Sequence, residues 1–276
     1  MNSSEQRIKR LLCIELLAWW EGSVSNKQLQ DEFAISRQQA YQDLKDYQQH
    51  CPDNLIAVNG GYQVSPQFSA NYLSLDVAQY LQWFSTGSLM LAQQVNPLTS
   101  LLSIPKRSVS VVVMRQLIKA IRYQQRLEVD YVSLSNPEND GRIFHPHTFV
   151  NTGLRWHVRG YCEKSRDYRD LVLSRFSGEG DILGDSEHKV EDDKAWQTFI
   201  LLIIQADPRL SAAQQAVLAN DYQMEGGQLI INTRAALANY LLQELHINTK
   251  MLDGTPEAQQ LVLVNINEVK PWLFNG

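Results

Sequence analysis

Only three cysteines, Cys13, Cys51 and Cys162, occur in 276 residues, and none sits in a C-x-x-C pair. An odd, scattered set excludes a disulfide framework and a cysteine-based zinc site, and fits a reducing compartment. Long apolar runs are missing too. The longest aliphatic stretch, residues 199–204, is far short of the ~20 residues a membrane helix needs. The first ten residues are polar and Glu15 breaks the apolar run behind them, so the start of the chain does not read as a signal peptide. A P-loop, a GxGxxG turn, an HExxH pair and a Ser-His-Asp order are all absent, so the residues predict no cofactor and no enzyme. The expectation is a cytoplasmic protein with no membrane partner. No internal repeat or low-complexity segment is evident.

A large charge of one sign is also lacking: 25 Lys and Arg against 30 Asp and Glu leave a net charge of −5. Divided along the chain, however, the charge is sorted. Residues 1–65 hold six basic and eight acidic residues, residues 66–105 only Asp76, residues 106–175 thirteen and seven, and residues 176–276 six and fourteen. The middle attracts polyanions and the C-terminal third repels them.

What is present begins with residues 36–50, SRQQAYQDLKDYQQH. Ser36 N-caps a helix here, with Gln39 completing a capping box, and Ala40, Leu44 and Tyr47 form one inward stripe. Arg37, Gln38, Gln39, Tyr41, Gln42 and Lys45 are left facing out. Gln pairs bidentately with adenine and Arg with guanine, while Lys and Tyr reach phosphates, so this face predicts a DNA recognition helix and an A·T-rich half-site. Upstream, Ser25 and Gln28 form a second capping box on a shorter helix burying Leu29 and Phe33, with Ala34-Ile35 as the connection. These are helix-turn-helix proportions. Residues 55–58 and 62–64 flank Asn59-Gly60-Gly61, a hairpin signal because both residues of Asn-Gly tolerate positive φ. Ahead of both, Ile8, Leu11, Leu12, Leu16 and Trp19 recur at helical spacing behind a Ser3/Gln6 capping box, and three helices and a hairpin in this order predict a winged helix-turn-helix. Its DNA contacts are expected from Ser25, Lys27, Ser36, Arg37, Gln38, Gln39, Tyr41, Gln42, Lys45, Asn59 and Tyr62. The acidic balance of residues 1–65 requires their carboxylates to lie mostly off that face, with dimerisation adding affinity.

Residues 73–84 and 109–126 read as helices, the first started by Ser74 or Asp76, and residues 93–106 as their connection. In the second, Arg115, Lys119 and Arg122 lie opposite an apolar stripe. From Leu127 the period becomes two, with strands at 127–134, 142–150, 154–162 and 171–176 in a small antiparallel sheet or barrel. The last segment alternates: strands at 199–205, 228–232 and 261–265, helices at 211–220 and 233–246. Its apolar strands suit pairing with a second copy.

Alternation over residues 154–161 puts Leu154, Trp156 and Val158 on a core face, and Arg155, His157, Arg159 and Tyr161 on the other. A row of nitrogen-rich side chains on one strand face fits an anion or nucleotide lying across it. Arg169, Arg175, Tyr131 and Ser133 are candidates to join it. His145, His147 and His157 are the residues a three-histidine zinc site would use, but polar neighbours of an anion site, or ordinary surface histidines, are the favoured readings.

At these residues the chain resembles the WYL-domain family of bacterial regulators. The eponymous Trp-Tyr-Leu run is Trp156-His157-Val158 here, followed by Gly160-Tyr161-Cys162, Tyr168-Arg169 and Ser174-Arg175-Phe176. Arg142-Ile143-Phe144-His145-Pro146 resembles the family's Arg-x-x-x-Pro strand. The Arg-Trp-His-Val-Arg form is most similar to repressors of BREX-type phage-defence islands. His157 in place of Tyr puts a group that titrates near neutral pH where the family has a phenol.

The resemblance implies an α+β multidomain chain. A winged helix-turn-helix spans 1–68, a helical linker 69–126, a WYL Sm-like β-barrel 127–192 and a C-terminal α+β dimerisation domain 196–276. It implies a homodimeric repressor on a pseudo-palindromic double-stranded operator, responding to an anionic small-molecule or nucleic-acid effector. The effector residues expected are Tyr131, Ser133, His145, Arg155, His157, Arg159, Arg169 and Arg175. Two other readings stay open. One is a nucleic-acid-binding effector acting on single strands through the barrel, and the other a histidine-based metal hydrolase.

Overall fold

The computed structural model describes residues 3–87, 105, 107–138, 140–251 and 254–274. The connection expected at 93–106 lies, apart from Pro105, outside them. Two compact units are present, residues 1–146 with 156–186, and residues 147–155 with 187–276.

The first unit opens with α1 (Ser3–Glu21), β1 (Ser23–Val24), α2 (Asn26–Phe33), α3 (Arg37–His50) and the hairpin β2 (Leu55–Val58) and β3 (Gly61–Val64). Ser25 N-caps α2 through the expected box with Gln28. Ala34 then takes the left-handed conformation at φ 51°, ending α2 and reversing the chain within two residues. Ser36 accepts the Gln39 backbone N–H and starts α3. Ala40, Leu44 and Tyr47 are buried as their spacing predicts, with Leu12, Leu16 and Leu29. In the wing only Gly60 takes positive φ, so the turn is not the type I′ form that Asn-Gly predicts. β1, too short to read from sequence, joins the hairpin in the order β1-β3-β2. A Cβ on Gly61 would sit 2.6 Å from the Val24 carbonyl oxygen, so this pairing requires the second glycine.

Glu15 is fully buried. Its carboxylate accepts the Tyr47 hydroxyl at 3.0 Å and the backbone N–H groups of Asn71, Tyr72 and Leu73 at 2.9, 2.8 and 2.8 Å. Burial and, among the further causes, the neighbouring carboxylate push the Tyr47 phenol well above its ordinary pKa, so it remains a donor. The residue that interrupts the apolar run therefore fixes both the recognition helix and the strap leaving the wing.

That strap leads into α4 (Val77–Thr86), capped by Asp76, and α5 (Val111–Arg122), capped by Ser110. Arg115 and Arg122 are not a solvated face. Arg115 donates to the Trp19 carbonyl, and Arg122 makes two 2.6 Å bonds to Glu21. The opposite stripe of α5, including Met114, Leu117 and Ile118, is buried.

Five strands follow, not four: β4 (Gln125–Tyr131), β5 (Asp140–Asn151), β6 (Trp156–Cys162), β7 (Asp167–Val172) and β8 (Phe176–Asp185), in the order β7-β6-β5-β4-β8. The strand expected at 171–176 is the end of β7 and a 3₁₀ turn at Leu173–Arg175. β8 escaped the alternation test because Gly178, Gly180 and Gly184 take positive φ and its register against β4 shifts twice. Closure of this sheet into a barrel is not among the described pairings.

The second unit contains α6 (Lys194–Gln197), β9 (Phe199–Ala206), α7 (Ala212–Asp221), β10 (Gln228–Arg234), α8 (Ala238–Glu244), β11 (Leu261–Leu263) and α9 (Ile266–Val269). Its sheet runs β10-β9-β11, both pairs antiparallel. Leu202, Ile204, Ala238, Leu242, Ile247, Leu261 and Val269 form its core. The helix expected from Thr233 begins later, at Ala238, because β10 continues to Arg234. No helix of the described residues is long and apolar enough to cross a membrane.

Candidate nucleic-acid interface and effector face

α2, the first turns of α3 and the wing enclose an open groove of about 940 Å³. Ser25, Lys27, Arg37, Tyr41 and Tyr62, all expected contacts, line it. Sequence reasoning missed Asn26 and Gln30 on its wall, although their place at the start of α2 was the available signal. Arg37, Gln38, Tyr41 and Lys45 are exposed. Asn59 is exposed at the wing tip, and the Ser36 hydroxyl is committed to its cap.

Two of the expected base-reading glutamines bond carboxylates of their own helix. Gln39 donates to Asp43 at 3.0 Å and Gln42 to Asp46 at 2.7 Å. Those two aspartates are gripped from α1, Asp43 by Arg10 at 2.6 Å and Asp46 by Arg7 at 3.1 Å. The capping-box role of Gln39 thereby gives way to a charge-assisted bond one turn along, which is the stronger interaction. Gln38 is the glutamine of this face with no such tie.

The same contacts draw off much of the acidic balance, although Asp31 stays on the groove wall. Asp43 and Asp46 turn to α1 and Glu15 is buried. Glu21 is held by Arg122 and by the Tyr80 hydroxyl at 2.9 Å, and Glu32 accepts the Trp83 indole N–H at 2.6 Å. Five of the eight carboxylates in residues 1–65 are thus occupied away from the cations Lys27, Arg37 and Lys45. Glu21 also accepts from Gln28 of the α2 capping box at 3.3 Å, which ties α5 to the helix-turn-helix.

In the five-stranded sheet the expected exposed row is largely interior. His157 and Arg159 of β6 are buried, and Leu154, expected in the core, is 56% exposed. Alternation assigned the faces, but β6 is a central strand covered on both. Register sets Arg159 opposite Asp170 of β7, with an ion pair at 3.2 Å. Gly160 lies so close to the His145 carbonyl that a Cβ there would clash.

His145 is also buried, with Nδ1 2.8 Å from the Ser186 hydroxyl and Nε2 3.1 Å from Glu163, which Arg126 approaches at 3.4 Å. The Tyr131 ring is buried and its oxygen accepts the Val172 N–H at 3.1 Å. Ser133 bonds within its own turn, to Asn136. Four of the expected effector residues, Tyr131, His145, His157 and Arg159, therefore belong to the interior. Arg169 is exposed beside Asp167, Arg175 is half-buried in the 3₁₀ turn, and Arg155 is half-buried before β6.

Sequence reasoning missed Arg142. Its guanidinium lies 4.9 Å from the Tyr131 ring centroid, and its buried Nε has no hydrogen-bond partner. The Arg-x-x-x-Pro pattern was read for its strand and not for this side chain. The histidines have separate partners, His147 bonding Thr148 at 2.8 Å and Asp193 at 3.1 Å. Among the described residues no three His, Cys, Asp or Glu side chains gather to hold a metal ion.

Residues 6–86 match the family described as BrxR transcriptional regulator winged helix-turn-helix domain. Residues 112–178 match the WYL domain, and residues 199–269 the BrxR transcriptional regulator C-terminal dimerization domain. The chain is 32% identical over 269 residues to the DNA-binding transcriptional repressor CapW of Escherichia coli (strain KTE188), covering 95% of this chain and 90% of that protein. The CapW repressor of Pseudomonas aeruginosa is 33% identical over 274 residues at the same coverage. That of Stenotrophomonas maltophilia is 27% identical over 273 residues, covering 96% and 91%.

Proposed function

We infer that this chain, which belongs to the CapW family of BrxR-type winged-helix and WYL-domain regulators, is a cytoplasmic repressor of a phage-defence operon. It binds a pseudo-palindromic operator as a homodimer and carries no catalytic activity. The observation that supports this best is the winged-helix groove. It presents Lys27, Arg37, Tyr41 and Tyr62 together, while the nearby carboxylates of α3 are drawn back to α1. Arg37 and Gln38 are the proposed base readers, and Lys45 a phosphate contact. In the WYL domain Arg142, Arg169 and Arg175 are proposed as effector contacts because guanidinium groups suit a nucleotide-like anion. Such an effector acts only by binding the two operator-affinity states differently.

Selection from random duplexes, followed by affinity measurement over a salt series, tests the reading. An enriched inverted repeat is expected. Gln38→Ala should cost about 1–3 kcal/mol and relax preference at one base pair. Gln39→Ala and Gln42→Ala should relax no single position, since their amides bond carboxylates of their own helix. Lys45→Ala should weaken all sequences alike and flatten the salt dependence. If the protein instead bound single strands as tightly as duplex, and Arg37→Ala and Gln38→Ala changed neither, the helix-turn-helix would not be the reader. The single-strand reading would replace this one.

A further inference from the structure

We propose that Arg115 and Arg122 of α5 are positioning residues for operator binding. They clasp the corner where α1 hands over to α2 and the wing, and so fix how both are presented to DNA. The proposal rests on the winged-helix reading above and adds residues that touch no DNA.

The end of α1 is built against its own dipole. A helix C-terminus favours cations, yet the last turn of α1 holds no basic residue and its final residue is Glu21. The Glu21 side chain is only 3% exposed, an unfavourable place for a carboxylate unless cations and donors meet it. Both cations come from α5. Arg122 gives Glu21 two bonds at 2.6 Å. Arg115 donates twice to the Trp19 carbonyl, at 2.9 and 2.6 Å, which satisfies an acceptor that the last turn of a helix leaves open. Tyr80 of α4 completes the set at 2.9 Å, its phenol held well above its ordinary pKa by burial and by Glu21 itself.

The DNA-reading parts leave from this corner. Gly22, in the left-handed region at φ 83°, turns the chain out of α1, and its carbonyl accepts the Val64 N–H of the wing at 3.0 Å. Glu21 accepts the Gln28 amide at 3.3 Å, and the Gln28 side-chain oxygen accepts the Ser25 N–H and hydroxyl, each at 2.9 Å. From Arg122 to the N-cap of α2 the route therefore runs through Glu21 and Gln28 alone. Lys27 and Tyr62, which line the groove, stand next to Gln28 and close to Val64. Arg115 and Arg122 lie outside the segment that matches a winged helix, residues 6–86, and inside the one that matches the WYL domain, residues 112–178. Past Arg122 the chain enters β4 at Gln125. A shift of α5 thus reaches α2 and the wing together, which couples operator affinity to the neighbouring sheet.

The test compares affinity for the duplex enriched by the selection above with affinity for random duplex, using full-length variants below their melting onset. Arg122→Ala is expected to raise Kd for the enriched duplex by about 10-fold or more, within the usual range of coupling between separate sites. Random-duplex affinity and the salt slope should hold, because no phosphate contact is removed. Arg122→Lys, which keeps the charge, should recover most of the loss. Arg122→Gln, whose amide still meets Glu21, carries the same comparison if the alanine variant does not fold. Lys119→Ala removes the same charge from an exposed position of the same helix and should change neither affinity. Amide exchange should quicken in the first turn of α2 for Arg122→Ala and not for Lys119→Ala. A folded Arg122→Ala or Arg122→Gln protein with wild-type affinity for the enriched duplex would overturn the proposal. So would a Lys119→Ala loss equal to that of Arg122→Ala, which would make the effect one of long-range charge. Wild-type protein that prefers no duplex would overturn the winged-helix reading as well.

Discussion

Glu15→Ala is expected to unfold the winged-helix part of the chain under conditions where the wild type is intact. The substitution removes the acceptor of three backbone N–H groups and the Tyr47 hydroxyl. Two of these donors, the Tyr47 hydroxyl and the Leu73 amide, are buried, and each left without an acceptor costs about 1–3 kcal/mol. Their total is a large part of the roughly 5–15 kcal/mol that holds a domain folded. Glu15→Gln should fall between, because its amide keeps the shape but only one acceptor oxygen. Operator binding should be lost with Glu15→Ala although Glu15 touches no DNA, since Tyr47 sits on the recognition helix. Thermal melts and hydrogen exchange at the amides of Asn71, Tyr72 and Leu73 read this out. A Glu15→Ala protein that melts with the wild type and keeps those amides protected would show that the carboxylate holds nothing.

The helix-turn-helix was legible because its signals are local. Ser25, Gln28 and Ser36 act within three residues of themselves, and the apolar stripe of α3 needs only the helical period. What failed was non-local or competitive. Gln39 was assigned to a capping box because the pattern fits, but Asp43, fixed by Arg10 thirty-three residues upstream, offers it a charged acceptor. β1 is two residues long and exists only because Gly61 admits a close strand. In the five-stranded sheet, period two separates faces but does not say whether a face meets solvent. In β6 the residues from His157 to Gly160 are buried on both faces, so a row of cations read as a ligand surface became largely interior. The partner that explains Arg159, Asp170, lies across a turn whose register the sequence does not specify. Conversely, the outward apolar residues of β9 were legible as a run too apolar for a half-solvated strand.

The role of Arg159 separates the two readings of the WYL domain most sharply. As an effector contact held in reserve, it would be removable without cost to the fold. The structure instead buries it and joins it to Asp170 across two paired strands. Removing one member of a buried ion pair leaves the other charge desolvated, at a cost of about 3–5 kcal/mol. Asp170→Ala and Arg159→Ala are therefore each expected to lower the melting temperature strongly. In a double-mutant cycle, the loss on removing both should be smaller than the sum of the single losses. Arg169→Ala, at an exposed site beside Asp167, should change stability by no more than about 0.5 kcal/mol. Its expected effect is on binding of an anionic probe such as a short single-stranded oligonucleotide, measured by calorimetry. If Arg159→Ala melted with the wild type and abolished probe binding while Arg169→Ala left probe binding unchanged, the anion site would lie along β6. The buried pair would then be a ligand seat closed in the absence of its occupant.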